Sequence, residues 1–193
     1  VDGVYTADPR SVPTATRIDE LPLDSAIAMA QAGSKVLLAE ALHQAKTNGV
    51  VLTASATNQP SGSGTRVVPD AASKEVVGVA ADIGLYLITE PENPQEFAGA
   101  IRGRLPDGRT LVDGRNLPPS TTWSVPAEPI ATISAIGADA VSNPDVTERA
   151  VRSVHSIESN AIWWSHGQTL TFIVSRIQAQ AAERALHDAV VPI

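Results

Sequence analysis

The last third of the chain constrains its fold more than any other part. PIATISAIG (129–137) has the length and the β-branched content of a buried strand. Pro144 then stands where a first helical turn accepts proline, and Val146, Ala150, Val151, Val154 and Ile157 recur behind it at helical spacing. AIWWS (161–165) and TLTFIVS (169–175) read as two strands around a turn at His166-Gly167. QAQAAERALHDAV (178–190) closes the chain as an amphipathic helix. Strand, helix, strand, strand, helix is most of a ferredoxin-like βαββαβ unit. The stretch 76–104 starts in a similar way, with the strand-like runs VVGVAAD and GLYLIT and a predicted helix in PQEFAGAIRG. It reads as a degraded first copy, joined to the second by a Gly- and Pro-rich stretch over 105–129.

The first 70 residues have a different texture. Residues 24–48 carry a helical pattern, interrupted at Gly33 and terminated at Gly49. VVLTAS (50–55) reads as a strand, NQPSGSGT as a polar loop and RVV (66–68) as an extended stretch. PDAASKE (69–75) has linker composition and marks a domain boundary. The predicted class is α/β. Residues 1–70 form one unit, 76–129 a first βαββαβ-like unit completed by the C-terminal helix 178–193, and 130–177 a second.

Composition removes several functions. A net charge of −7 over 193 residues argues against nucleic acid or an anionic membrane as partner. The absence of cysteine removes disulfides and thiolate metal sites, and the four histidines (His43, His155, His166, His187) lack metal-ligand spacing. No apolar run approaches the ~20 residues of a membrane span. A cytoplasmic protein with no metal site of its own is expected.

The chain opens on VDGVYTADPR, a stretch dense in turn and charge chemistry with no initiator Met before it. It reads as the end of a domain begun elsewhere. Asp2-Gly3 and Asp8-Pro9 are turn pairs flanking a short extended core that can present Tyr5 at a pocket wall. Arg10 offers a planar fork to phosphate oxygens. Lys35 follows Gly33-Ser34 at a predicted helix start, where backbone N–H groups and an ammonium can meet one anion. Each has a plainer reading: a half-buried loop tyrosine, a solvated arginine and a first-turn lysine.

With the Lys of AGSKVL 25 residues after Arg10, then VVLTAS and a loop ending in SGSGT, this stretch resembles the C-terminal part of an aspartokinase catalytic domain. Further on, NAIWWSHG resembles that family's N-I-x-M-I-S-Q-G strand through Asn160, Ser165 and Gly167. The resemblance implies the C-terminal piece of an amino-acid-kinase α/β sandwich followed by tandem ferredoxin-like ACT domains. It implies phosphorylation of L-aspartate by ATP with Mg2+, in lysine, threonine and methionine biosynthesis. It places Asp2, Tyr5, Arg10 and Lys35 at the ATP edge, and Gly137, Asn160, Ser165 and His166 around an amino-acid effector, lysine or threonine. It further implies a homodimer through the ACT units, or a separate chain carrying the N-terminal catalytic half. The Gly-rich phosphate loop and the aspartate-binding residues would lie upstream of Val1. The 193-residue polypeptide alone is therefore expected to be inactive, and no catalytic residue is assigned within it. Two other readings stay open: a non-catalytic ACT regulatory subunit that binds an amino acid or a partner kinase, and a divergent aspartokinase of a specialised biosynthetic cluster.

The chain departs from the family pattern in places. Leu38-Ala39 follows KVL where His-Pro is usual, and Ser25 stands where a glutamate is usual. The first effector loop reads TEPENPQEF, with Glu92, and the second reads GADAVSNPDV, with Asp145 in place of a glycine. A weakened effector response confined to the second unit is the expectation. Glu90, Glu92 and Glu96 read as a solvated helix start, and Trp163 and Trp164 as pointing to opposite faces of a strand.

Overall fold

A computed structural model of the chain describes residues 2–58, 63–69, 75–89, 94–97, 99–118, 123 and 125–192. The linker core 70–74, the tip of the polar loop at 59–62 and the first effector loop with Glu90, Glu92 and Asn93 lie outside the described residues.

The N-terminal part contains β1 (Glu20–Pro22), α1 (Leu23–Gln31), α2 (Ala39–Asn48), β2 (Leu52–Ala54) and β3 (Thr65–Val68). β3 lies at the centre of a small sheet, parallel to β1 and antiparallel to β2. Leu21, Leu23, Ala26, Met29, Leu42 and Val67 are buried between this sheet and the two helices. The same core takes in Ala80 and Ile136 of the second sheet, so the two parts share apolar contacts. Gly49 ends α2 in the left-handed conformation (φ 64°), where a residue without a Cβ is unstrained.

One expectation fails here. The predicted second helical piece does not begin at Lys35. Residues 33–38 are irregular and α2 starts only at Ala39, with Leu38 extended before it. Gly33 has φ 109°, and the Cβ of Asp82 stands 2.8 Å from where its own Cβ would be. The chain leaves the helical path to pass close over another strand, and Lys35 is an exposed loop residue.

The larger sheet has six antiparallel strands in the order β5-β6-β4-β7-β9-β8. They are β4 (Gly78–Ile88), β5 (Ile101–Arg104), β6 (Thr110–Asp113), β7 (Ala127–Ile136), β8 (Ile162–His166) and β9 (Thr169–Ser175). The two short strands expected within 76–89 are one strand, β4. Its register against β7 shifts between Asp82 and Leu85, so the polar interruption is a bulge and not an end. The helix expected at PQEFAGAIRG is a 3-10 turn, Pro94–Phe97, followed by β5. Phe97 and Ala100 are buried against Ile88 and Val112, which hold this segment to the sheet. β6, all four residues of it buried, runs through the stretch expected to be irregular.

Three further helices follow β7: α3 (Asp139–Ser142), α4 (Pro144–His155) and α5 (Ala179–Val190). α4 and α5 cover one face of the sheet through Ala150, Val154, Ala182 and Leu186 against Ala131, Ile133, Phe172 and Val174. α5 packs on β4, β7 and β9 as well as on α4. On the opposite face, Leu85, Leu87, Leu111, Ile130 and Ile173 cluster with Trp164 beside them. Trp163, paired with Phe172, is 43% exposed at the sheet edge. Among the described residues no helix is long and apolar enough to cross a membrane.

Candidate functional site

The start of the opening decapeptide is held by a backbone ladder and by the Thr65 side chain. Tyr5 and Arg17 form an isolated antiparallel bridge, and Ile18 N–H donates to Val4 O at 2.9 Å. Thr65 on β3 fastens both strands of this turn. Its hydroxyl oxygen accepts from Val4 N–H at 2.7 Å, and its O–H faces Ile18 O at 2.6 Å. The Tyr5 hydroxyl donates to the Asp2 carboxylate, 3.1 and 3.2 Å from its two oxygens. That bond, reinforced by burial and by the Asp2 charge, raises the phenol above its ordinary pKa, so Tyr5 remains a neutral ring at physiological pH.

Three residues on, the chain turns at Asp8, whose carbonyl accepts from Ser11 N–H and Val12 N–H. The Arg10 guanidinium grips the Asp8 carboxylate, with Nη2 to Oδ2 at 2.6 Å and Nε to Oδ1 at 3.0 Å, while Arg10 N–H donates to Oδ1. Hydrogen bonding by Arg10 holds the Asp8 carboxyl below the usual carboxylate range, and the Lys35 charge adds to it. Of the four residues expected at a nucleotide edge, Asp2 and Tyr5 thus form one pair, and Arg10 and Lys35 flank a carboxylate that sequence reasoning passed over. The Arg10 fork is engaged by Asp8 and is not a free anion receptor. Its side chain is nonetheless 89% exposed, so the pair faces solvent on an accessible surface. The signal was in the text: in Asp8-Pro9-Arg10 the turn folds the guanidinium back onto the carboxylate two residues before it. Among the described residues no group of three His, Asp or Glu side chains is placed to hold a metal.

The four residues expected around an effector are not all brought together. Asn160 lies in the turn before β8 and His166 ends that strand, so the two flank it from opposite ends. Gly137 is at the His166 end, where its N–H donates to Gln168 O at 2.9 Å. Ser165 and His166 are exposed, as is Asn160 at its distant end. The room left by the missing Gly137 side chain is taken by the chain itself. A Cβ there would stand 2.1 Å from Glu75 O, so the packing of the chain on itself calls for glycine here. Asp145 lies in the first turn of α4, with its N–H bonded to the Asn143 side chain, where a negative charge suits the helix dipole. An open cleft of about 510 Å³ runs between α1 and the β8–β9 turn, lined by Asp24, Ser25, Gln31, His166 and Gln168 among others. Ser25 Oγ–H bonds to Gln168 Oε1 across it at 3.2 Å.

This arrangement is an α/β segment resting on an antiparallel sheet backed by helices. The amino acid kinase family model matches residues 1–53. Over 97% of its length the chain is 26% identical to the aspartokinase of Corynebacterium glutamicum, of which it covers 54%. It is 33% identical to the aspartokinase of Corynebacterium efficiens over 58% of its length, covering 28% of that protein. Its whole fold superposes on Escherichia coli aspartokinase III in complex with aspartate and ADP, with a TM-score of 0.79, 21% identity and coverage of 51% of that chain. The chain is similar to aspartokinases over nearly its whole length, and it spans about half the length of the relatives that it matches end to end.

Proposed function

We propose that this chain forms the nucleotide edge and the amino-acid-sensing part of an aspartate kinase, which transfers phosphate from ATP to L-aspartate. One observation carries this reading: the family match over residues 1–53 falls on the segment that contains Asp2, Tyr5, Arg10 and Lys35. Tyr5, neutral and anchored at its hydroxyl, offers a ring face or edge to an adenine. Arg10 and Lys35 supply the dispersed positive charge that phosphoryl transfer requires. A bound triphosphate would compete with Asp8 for the Arg10 fork, so nucleotide entry would release Asp8 from its partner. Mg2+ would arrive on the nucleotide phosphates, the usual mode for this cation. Catalytic groups and the aspartate pocket belong to the remainder of the enzyme. An effector such as lysine or threonine would act through the larger sheet.

In the complete polypeptide, Arg10→Ala and Lys35→Ala are each expected to reduce kcat/KM for ATP by about tenfold to a hundredfold, the range for a lost charge-assisted contact. Thermal unfolding should hardly move, because both side chains are exposed. Full activity in either variant would remove that residue from the site. The 193-residue chain by itself is expected to release no ADP in response to aspartate.

The reading includes a homodimer. β8 is an edge strand that carries a tryptophan 43% exposed, and such edges invite a second copy. Sedimentation velocity at tens of micromolar, roughly the range for a moderate interface, should show dimer, and a purely monomeric profile would refute it.

A further inference from the structure

α5 has two working faces. Ala179, Ala182, Leu186 and Val190 are buried against α4 and the larger sheet. Glu183 and His187, one turn apart, point the other way and are also almost fully buried, at 4% and 3% exposure. They meet the turn that carries Asp8 and Arg10. Ser11 Oγ–H donates to Glu183 Oε2 at 2.6 Å, and Arg184 Nη2 donates to Ser11 O at 3.0 Å. Thr6 Oγ1 lies 2.9 Å from His187 Nε2, and Thr14 Oγ1–H donates to Asp188 Oδ1 at 2.9 Å. The turn is thus held by four polar residues of one helix, Glu183, Arg184, His187 and Asp188, 172 positions away at the Ser11–Glu183 bond.

Asp188 Oδ1 faces His187 Nδ1 at 3.4 Å and the Thr6 hydroxyl faces Nε2 at 2.9 Å, contacts that a ring with its proton on Nδ1 satisfies together. Thr6 Oγ1 in turn accepts from Thr16 N–H at 3.0 Å, and Thr6 O accepts from Val79 N–H at 2.7 Å on β4. Among the described residues, no buried side-chain polar atom of this grip lacks a hydrogen-bond partner. Burying a carboxyl and an imidazole at such a place is unfavourable unless those bonds persist, so the helix and the turn are expected to move as one body.

We infer that Glu183, Arg184 and His187 are positioning residues for the nucleotide edge: they fix the Asp8–Arg10 turn in register with the regulatory sheet through α5. This rests on the nucleotide reading above. A shift of α5 on the sheet would displace Arg10 directly, because Val12, fully buried, and Ser11 leave the turn no independent path. None of these α5 side chains touches nucleotide in this scheme; they act through Ser11 and Thr6.

The test uses the complete polypeptide with variants on both sides of one bond. Glu183→Ala and Ser11→Ala should each raise KM for ATP on the order of tenfold, with kcat and KM for aspartate changed far less. Glu183→Gln, which still accepts from Ser11, should restore the ATP KM. Gln180→Ala, on an exposed position of α5, is the control expected to change nothing. In the 193-residue chain, amide exchange at Ser11 and Val12 should quicken in Glu183→Ala and Ser11→Ala but not in Glu183→Gln. A merely structural contact would lower the melting temperature and leave KM for ATP at assay temperature unchanged, and that result overturns the inference. Absence of any ATP-dependent activity in the unaltered enzyme would instead overturn the kinase reading, and unchanged exchange in both alanine variants would by itself reject the grip.

Discussion

Replacing Asp113 with alanine is expected to lower the unfolding free energy by about 3–5 kcal/mol, the usual range for removing one partner of a buried ion pair. Asp113 ends β6 with its side chain 1% exposed. Its carboxylate accepts from Arg115 Nε and Nη2, both at 2.8 Å, from Arg115 N–H at 3.0 Å and from Arg102 Nη2 at 2.5 Å. Arg115 also reaches Asp82 on β4 at 2.8 Å, so one guanidinium ties the bulge of β4 to the end of β6. Both arginines are about half exposed and can find water when Asp113 is gone, which points to the lower part of the range. Chemical denaturation of the two proteins at pH 7 measures the difference. A loss under 1 kcal/mol would mean that packing alone holds the β4–β6 junction.

The same carboxylate sets a pH dependence whose sign is definite. Hydrogen bonding by Arg115 first, then by Arg102, holds Asp113 far below the ordinary carboxylate range in the folded chain. Its contribution is therefore complete above the unfolded value near 3.8 and is lost as pH falls below it. The gap between the parent and Asp113→Ala should be about 1 kcal/mol smaller at pH 3 than at pH 7. Glu183 acts in the opposite sense. Burial raises its pKa, so its protonated form favours the folded state at low pH and that advantage disappears as pH rises through the raised value.

Gly137→Ala is the other large effect. The backbone there has φ 141°, which side-chain-bearing residues rarely adopt, and an added Cβ would meet Glu75 O at 2.1 Å and Val76 Cα at 2.7 Å. Both obstacles are backbone, and they are held in place because Val77 N–H donates to Ile136 O at 2.8 Å. Strain of about 1–3 kcal/mol and overpacking of a further 1–3 kcal/mol combine to roughly 2–6 kcal/mol. In a chain of this size that lowers the melting temperature by roughly 5–15 °C. Differential scanning calorimetry decides between two roles for this glycine. If it were present to let an effector approach, the alanine variant would keep its melting temperature and lose only ligand binding.

Much of this protein was legible in the text of the chain. PIATISAIG, the helix behind Pro144, TLTFIVS and the closing helix obey local periodicity, and each lies where that periodicity puts it. The same holds for the family of the opening decapeptide, since a turn-and-charge motif is a local signal. What the text could not show was set by partners distant in the chain. β6 is four residues in a Gly- and Pro-rich stretch, and it is a strand because β4 and β5 pair with it on either side. β4 runs through Asp82-Ile83-Gly84 because Arg115, 33 positions later, neutralises the carboxylate at the bulge. Lys35 left its expected helix because Gly33 passes over Asp82. The same division applies to the site. Sequence determined which residues carry charge and aromatic surface at the proposed nucleotide edge, because these are properties of side chains taken singly. Tertiary structure alone decided that Asn160 lies in a turn at the opposite end of β8 from His166. It alone set the whole turn in the grip of α5, because burial and hydrogen-bond geometry are properties of what packs together and not of what is adjacent in the chain.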